Sequence, residues 1–259
     1  MNKAICVLPL VPVREKPSDK SQMINQLLFG DLAQVKERSQ GWVLMETIHD
    51  NYPGWVDEKQ LEFPSAAFLE RIEKEEAVFL TEKFVDARTK NGNSLSLVMG
   101  NRLPAFEENV FFVEDTGYSL PKNVRLLRGK QKPEVVIETA KKYLGSPYLW
   151  GGRSCFGNDC SGFTQIVYRM CGYNLLRDSS QQAEQGCIIS FIEEAEVADL
   201  AFFENEEGRI LHVGILLNNH QIIHSSGQVR IDTIDHEGIF NENLKKYTHK
   251  LRFIKRIIA

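Results

Sequence analysis

One cysteine has the residue type and the surroundings of a catalytic nucleophile. Cys160 follows Asp159, an N-capping residue, and begins a predicted amphipathic helix that runs to Met170. The helix dipole and the free N–H groups of a first turn favour an anion, so we expect the pKa of this thiol to lie below about 8.5. A thiolate there is a nucleophile, and the same N–H groups can bind an oxyanion.

A candidate base lies on a predicted hairpin. Apolar residues alternate with His212 and Gly214 in one strand, and the return strand contains His224. A three-residue turn would place His224 opposite Gly214 and diagonal to His212, on one face of the sheet. His212 is then predicted to be the general base for Cys160, with His224 orienting it. The alternative is an inert buried cysteine and two histidines that only pack.

The second half of the chain is predicted to form an α+β domain, which would hold these residues in place. Pro133 opens one helix, which ends by Gly145, and the Cys160 helix follows. Strands are then predicted near Leu200–Phe203, Ile210–Leu217, Gln221–Ser225 and Lys250–Arg256.

The first half predicts small all-β barrels, because its short β runs are separated by Gly and Pro. A helical pattern covers 66–75 and precedes a second β-rich stretch, which we interpret as a module related to the first. The sequence therefore predicts three domains: 1–64, a small all-β barrel; 65–129, a second β module; and 130–259, the α+β domain that contains Cys160.

Composition sets the remaining limits. A 259-residue chain with 42% hydrophobic and 25% charged residues is globular. Its formal charge of −4 leaves no basic excess to neutralise phosphates, so nucleic acid is not expected as a partner. No segment approaches the roughly 20 apolar residues of a membrane span, so we expect no membrane association. An N-terminal stretch broken by Pro9 and Pro12, with an odd number of cysteines, predicts a cytoplasmic location.

Three separated motifs resemble those of the NlpC-type family of bacterial cell-wall peptide hydrolases. They are Asp-Cys-Ser-Gly-Phe at 159–163, His-Val-Gly-Ile at 212–215 and Ile-His-Ser at 223–225. Ala-Asp-Leu-Ala-Phe-Phe at 198–203 is similar to the family's Gly-Asp-Leu-x-Phe-Phe strand, from which Ala198 departs. The resemblance covers about 130–259 and implies a papain-like cysteine peptidase domain. The preceding half resembles one or two bacterial SH3-like barrels, which implies a bacterial SH3-like domain at 1–64 and a second SH3-like β domain at 65–129.

Within this family the chain most resembles γ-D-glutamyl-L-diamino acid endopeptidases, which cut L-Ala-γ-D-Glu-diamino acid peptides of peptidoglycan. The resemblance implies a set of residues that bind the L-Ala-γ-D-Glu end: Tyr148, Trp150, Asp159, Ser161 and Ser179. It also implies that Tyr52, from the first SH3-like domain, closes the site, with Asp31 as an additional acidic contact. Each residue has a structural alternative, as a core aromatic, a helix cap or a turn residue.

The expected activity is hydrolysis of the γ-D-Glu to diamino acid bond in stem peptides with a free N-terminal L-Ala. Asp159 is expected to pair with that ammonium group, which limits the enzyme to released peptides and implies a role in wall-peptide recycling. No metal and no cofactor are expected. The alternatives are amidase or acyltransferase chemistry on the same thiol, and a wall-peptide-binding protein without activity.

Overall fold

Residues 3–258 are described by a computed structural model, in which the chain forms two compact units, Met1–Gly129 and Lys130–Ala259. Antiparallel strands dominate both units, and helices are short.

A seven-stranded antiparallel sheet opens the first unit. Its strands are β1 (Lys3–Cys6), β2 (Leu10–Arg14), β3 (Met23–Leu28), β4 (Leu32–Ser39), β5 (Trp42–Thr47), β6 (Pro53–Asp57) and β7 (Leu61–Glu62). They are ordered β3-β2-β6-β5-β4-β1-β7. Alternate residues of β2 and β5 are fully buried around a core that includes Val11, Val13, Val43 and Met45, as expected for strands with one face inside.

A helix and a second group of strands complete this unit. Helix α1 (Ala66–Lys74) confirms the predicted helix, and the Ser65 hydroxyl caps it by accepting from the Phe68 N–H at 3.2 Å. The strands are β8 (Val78–Leu80), β9 (Phe84–Thr89), β10 (Ser94–Val98), β11 (Val110–Val113), β12 (Thr116–Ser119) and β13 (Leu126–Arg128). They pair as a four-stranded sheet, β10-β9-β12-β11, and a separate β8-β13 ladder.

The same type of turn occurs once in each of the two groups of strands. Gly30 and Gly100 both have positive φ, 81° and 91°. In each case the next side chain, Asp31 or Asn101, accepts a hydrogen bond from the backbone N–H three residues earlier, at 3.0 and 2.8 Å. The matching turns agree with two related modules, while their division into domains at 64/65 stays a prediction.

The second unit is built on a sheet that closes on itself. The strands of this sheet are β16 (Cys187–Ile189), β17 (Leu200–Glu204), β18 (Ile210–Asn218), β19 (Gln221–Ser226), β20 (Gln228–Ile234), β21 (Gly238–Asn241) and β22 (Lys246–Arg256), and a separate two-stranded ladder is formed by β14 (Arg153–Ser154) and β15 (Gly157–Asn158). The order is β16-β22-β17-β18-β19-β20-β21, and β21 also pairs with β22. Six strands, β17 to β22, therefore form a ring.

The described residues of this unit also form three α-helices: α2 (Pro133–Lys141), α3 (Cys160–Met170) and α4 (Ser179–Gln182). The bounds of α3 confirm the predicted helix, and every one of its residues is buried. It packs against β18 and β19, so its first residue lies close to the strands that contain the two histidines.

The β18–β19 pairing confirms that His224 lies opposite Gly214. The predicted three-residue turn is wrong, because β18 extends to Asn218 and only two residues separate the strands. A bulge between Leu216 and Asn218 supplies the missing shift in register. Without it, the two-residue turn would place the histidines on opposite faces of the sheet.

The close approach at Gly214 predicts the effect of a single methyl group. In Gly214→Ala, the new Cβ would lie 2.8 Å from the His224 Cβ and 2.7 Å from the Ile222 Cδ1. We expect overpacking to lower the free energy of unfolding by about 1–3 kcal/mol and to displace His224, with loss of activity. Urea unfolding and an assay of the activity expected from the sequence measure both effects.

The control is Gly208→Ala, at a residue with φ of 78° where the Glu204 Oε2, 3.9 Å away, is the nearest atom to the added Cβ. Left-handed strain there costs about 1–2 kcal/mol and should leave activity intact. Full activity in Gly214→Ala would contradict the crowding argument.

Candidate active site

The Cys160 thiol lies at the start of α3, against the strand that contains His212. Asp159 caps the helix, its Oδ1 accepting from the Gly162 N–H at 2.7 Å. The Cys160 Sγ donates towards the Leu211 carbonyl at 3.9 Å and also faces the Val213 N–H. These two groups flank His212 in sequence, so the fold brings the predicted nucleophile and the predicted base together.

A line of hydrogen-bonded side chains leads away from this thiol. The Nε2 of His212 lies 2.8 Å from the Nδ1 of His224, and the Nε2 of His224 lies 2.9 Å from the Oδ2 of Asp232. Arg230 contacts both carboxylate oxygens of Asp232 at 2.7 Å. His212, His224 and Asp232 are 7%, 1% and 8% exposed, so this polar line is largely excluded from water.

The pairing of the strands explains why His212, His224 and Asp232 lie in a line. His224 pairs with Gly214 on β18 and with Arg230 on β20, so His212 and Asp232 are both its diagonal neighbours. Diagonal neighbours on one face are separated by roughly 7–8 Å, a gap that imidazole rings can bridge. Three adjacent strands therefore each contribute one member.

Burial gives the thiol a different charge state from the one expected. It raises the pKa of Cys160 to about 12, and the nearby Asp159 carboxylate adds to the increase, against smaller opposing effects of the Val213 and Ser161 N–H groups and Arg177. The predicted lowering of this pKa is wrong. Burial, His224 and His249 hold the pKa of His212 well below its usual value. At neutral pH the free site therefore contains a neutral thiol and a neutral imidazole.

Asp159 is engaged in a buried ion pair. The guanidinium of Arg177 donates to both of its oxygens, at 3.0 and 2.6 Å, and also to the Ser161 hydroxyl at 3.0 Å. The Gly151 N–H donates to the Asp159 Oδ2 at 2.8 Å. A substrate ammonium would have to share Asp159 with these donors, and the predicted ammonium contact stays a prediction.

The other predicted contact residues differ in accessibility. Trp150 is 60% exposed and Tyr148 is 38% exposed, so neither is the core aromatic of the structural alternative. Burial, with the neighbouring Cys160, raises the pKa of Tyr148 to about 12, so it is a hydroxyl donor at neutral pH. Ser161 is buried, and Ser179 begins α4 partly exposed.

Tyr52 and Asp31 belong to the first unit. The Tyr52 backbone closes a turn, its N–H donating to the Thr47 Oγ1 at 3.0 Å, and its ring is partly exposed. Asp31 is fully buried within that unit, which leaves its carboxylate no exposed surface. Closure of the site by Tyr52 stays a prediction.

A third histidine, which sequence reasoning missed, lies beside the pair. The His249 ring is 4.2 Å from the His212 ring, centroid to centroid, with an interplanar angle of 31°. Burial and His224 lower the pKa of His249 to about 4, although Asp232 opposes the shift.

Asp232 was also missed in the sequence. The alternation in Val-Arg-Ile-Asp at 229–232 is the signal that could have revealed β20 and with it Asp232.

Comparison with known proteins identifies the family. The profile of the NlpC/P60 family matches residues 145–249, and that of the bacterial dipeptidyl-peptidase SH3 domain matches 13–61. The γ-D-glutamyl-L-lysine dipeptidyl-peptidase of Bacillus subtilis is 32% identical over 225 residues, which are 77% of this chain and 71% of that protein. The chain belongs to the NlpC/P60 family. The resemblance drawn from the three motifs is therefore confirmed.

Other members agree. The Bacillus cereus enzyme of the same name is 29% identical over 233 residues, 80% of this chain and 68% of the relative. The crystal structure of an NlpC/P60 family protein from Bacillus cereus shares the fold, with a TM-score of 0.85 at 22% identity over 99% of this chain and 100% of the other. The predicted fold, SH3-like at the N-terminus and papain-like at the C-terminus, is confirmed, and the NlpC/P60 chain is a cysteine peptidase.

Two further observations concern residues 3–258 of this family member. Within that range, no three His, Cys, Asp or Glu side chains are arranged to hold a metal ion. No helix of the same range combines the length and apolar character that crossing a bilayer requires.

The depressed pKa of His249 predicts how stability depends on pH. A histidine with a pKa of about 6.5 when unfolded and about 4 when folded binds more protons in the unfolded state between those values. Its contribution of about 2–3 kcal/mol is present above pH 6.5 and is lost as the pH falls towards 4. His249→Phe should flatten this slope in thermal unfolding measured from pH 4 to 7.

The matched control is His220→Phe, at an exposed residue of the β18–β19 turn. Its pH slope should equal that of the unmodified protein. Identical slopes in all three proteins would show that His249 is not the titrating group.

Proposed function

We propose that this peptidase hydrolyses the γ-D-Glu to diamino acid bond of peptidoglycan stem peptides that carry a free N-terminal L-Ala. The observation that carries the proposal is the Cys160 thiol beside the strand of His212, whose ring is hydrogen-bonded to His224. The relatives named γ-D-glutamyl-L-lysine dipeptidyl-peptidase supply the bond type. A dipeptidyl-peptidase acts from a chain end, which supports the requirement for a free amine. We place this activity in the cytoplasm, on released peptides, as a step of wall-peptide recycling.

The resting charge state dictates the first step. Because burial keeps Cys160 neutral, its proton moves to His212 as the thiol sulfur attacks the γ-carbonyl carbon of D-Glu. His212 then carries a positive charge, which the line through His224 to Asp232 stabilises. The thiolate forms when the substrate arrives.

The next steps use the same groups. The oxyanion of the tetrahedral intermediate is stabilised by the Cys160 N–H, which has no intrahelical acceptor in a first turn, and by the Tyr148 hydroxyl. The imidazolium of His212 gives its proton to the departing amine of the diamino acid. A water molecule, deprotonated by His212, then hydrolyses the thioester and releases L-Ala-γ-D-Glu.

We assign the substrate contacts by exposure. Tyr148 and Trp150 both present exposed aromatic surface, and Tyr148 lies near Cys160. We assign both rings to packing against the dipeptide. Ser161 and Ser179 supply hydroxyl groups to its polar end. Asp159 holds Arg177 and the helix start in place, and we retain it as the group that faces the ammonium of L-Ala.

The nucleophile assignment predicts the outcome of a conservative change. Cys160→Ala removes the attacking sulfur while keeping a side chain that fits the helix, so hydrolysis of L-Ala-γ-D-Glu-L-Lys should fall by at least about 10⁴-fold. Mass spectrometry of the products and the thermal unfolding midpoint are the measurements.

Cys155→Ala is the matched control, since Cys155 is equally buried at 7% exposure. It should retain activity. Turnover by Cys160→Ala would exclude Cys160 as nucleophile. Transfer of the dipeptide to an added amine, in preference to water, would identify an acyltransferase instead.

The proposed function also predicts the effect of blocking the substrate amine. N-acetylation of L-Ala removes a positive charge and adds bulk where the peptide ends, so kcat/KM should fall by about 30-fold or more. Free and acetylated tripeptides are compared at equal concentration by product release. Tyr52→Ala serves as the second protein, and any gain on the acetylated peptide alone would support Tyr52 as the closing residue. Equal rates for the two peptides would contradict the free-amine requirement.

A further inference from the structure

The end of the polar line farthest from Cys160 is formed by Asp232 and Arg230. Asp232 is 8% exposed and accepts from His224 at 2.9 Å and from Arg230 at 2.7 Å. Burial alone would raise the pKa of this carboxyl, yet the hydrogen bonds from His224 and Arg230 outweigh burial and lower it. The titratable and charged groups that act on it or near it are His224, Arg230 and His249. Asp232 is therefore an anion that can only accept hydrogen bonds.

Because Asp232 can only accept, it determines which nitrogen is protonated first in the His224 ring and then in the His212 ring. An acceptor at Asp232 requires the proton of His224 to be on Nε2, which leaves the Nδ1 of a neutral His224 as an acceptor. The Nε2 of His212, 2.8 Å away, must then donate. A neutral His212 with its proton on Nε2 has its lone pair on Nδ1, the nitrogen left for the thiol proton.

We propose that Asp232 is a positioning residue, held by Arg230, that fixes the tautomer of His224 and through it the tautomer that His212 needs to act as a base. The inference rests on the proposed roles of Cys160 and His212. It adds two residues to the site and gives each a defined task. Asp232 selects the proton positions, and Arg230 selects the orientation of the group at position 232.

Arg230 makes the proposal sharply testable through Asp232→Asn. The Nη2 of Arg230 donates to the Oδ1 of Asp232, whereas its Nε lies 2.7 Å from Oδ2 without making a hydrogen bond, and His224 contacts Oδ2. Because the guanidinium only donates, Arg230 will hold the oxygen of the introduced amide at the Oδ1 position and turn the NH₂ group towards His224. His224 must then accept at Nε2 and carry its proton on Nδ1, and His212 must accept at Nε2 and carry its proton on Nδ1. The base would be protonated on the nitrogen that has to receive the thiol proton.

The expected activities follow an unusual order. Asp232→Asn should lower kcat about 100-fold or more with KM nearly unchanged. Asp232→Ala, which lets water take either role, should lower kcat only about 10-fold. Adding Arg230→Leu to Asp232→Asn frees the amide to rotate and should recover about 10-fold of the lost kcat. Arg230→Leu alone should cost less than about 5-fold.

Asp235→Asn is the matched control, an equal loss of charge just beyond β20 at a carboxylate that contacts Tyr247. It should leave kcat within about 2-fold. If Asp232→Ala is as impaired as Asp232→Asn, and Arg230→Leu restores nothing, then lost charge or packing explains the effect and the tautomer proposal is overturned.

Nitrogen-15 NMR of the histidine rings tests the proposal without substrate. In the unmodified protein, the Nε2 of both His212 and His224 should be protonated, and in Asp232→Asn the proton of each should be on Nδ1. Unchanged ring spectra in a folded Asp232→Asn variant would overturn the inference. If the stem peptide is not cleaved at all, the proposed function fails while the NMR result still decides the role of Asp232.

Discussion

A single buried carboxylate holds together the segments that form the candidate site. Asp159 accepts from the Gly162 N–H at the start of α3, from the Gly151 N–H of the aromatic loop, and from the Arg177 guanidinium of the segment before α4. A paired charge so deeply buried stabilises little by itself, whereas removal of one partner costs about 3–5 kcal/mol. Its value lies in geometry. The start of α3, the loop that contains Tyr148 and Trp150, and the segment before Ser179 are all hydrogen-bonded to Asp159, so their relative positions are fixed.

The electrostatics of the site favour a catalyst that is uncharged at rest. Burial opposes a thiolate at Cys160 and an imidazolium at His212 alike, so it disfavours the thiolate expected from the helix start. Charge separation is instead coupled to attack, and the proton acceptor is supported from behind by His224 and ionised Asp232. A neutral thiol is also a poor target for adventitious oxidation and alkylation, which suits a cysteine that has to survive between substrates.

Local sequence patterns predicted what depends on local structure. The bounds of α3 and the capping by Asp159 follow from periodicity and residue type. The pairing of Gly214 with His224 was predicted from a turn one residue too long, and it holds because the bulge restores the register. Properties that depend on depth or on distant residues did not follow. The pKa of Cys160 was predicted in the wrong direction because a helix start is visible in sequence whereas burial is not. Arg177 lies 18 residues from Asp159, beyond α3 and the loop that follows this helix, so spacing alone does not reveal their contact. The strand β20 was not recognised from the sequence, and Asp232 was missed with it.

The bulge between Leu216 and Asn218 has a consequence for how this family member can change in length. The two-residue turn and the bulge together set the register that puts His212 and His224 on one face. Adding or removing a single residue between them reverses that parity unless a second change compensates. Insertions and deletions in this hairpin should therefore be tolerated in pairs, and homologues with longer turns should differ from this chain by even numbers of residues between the two histidines.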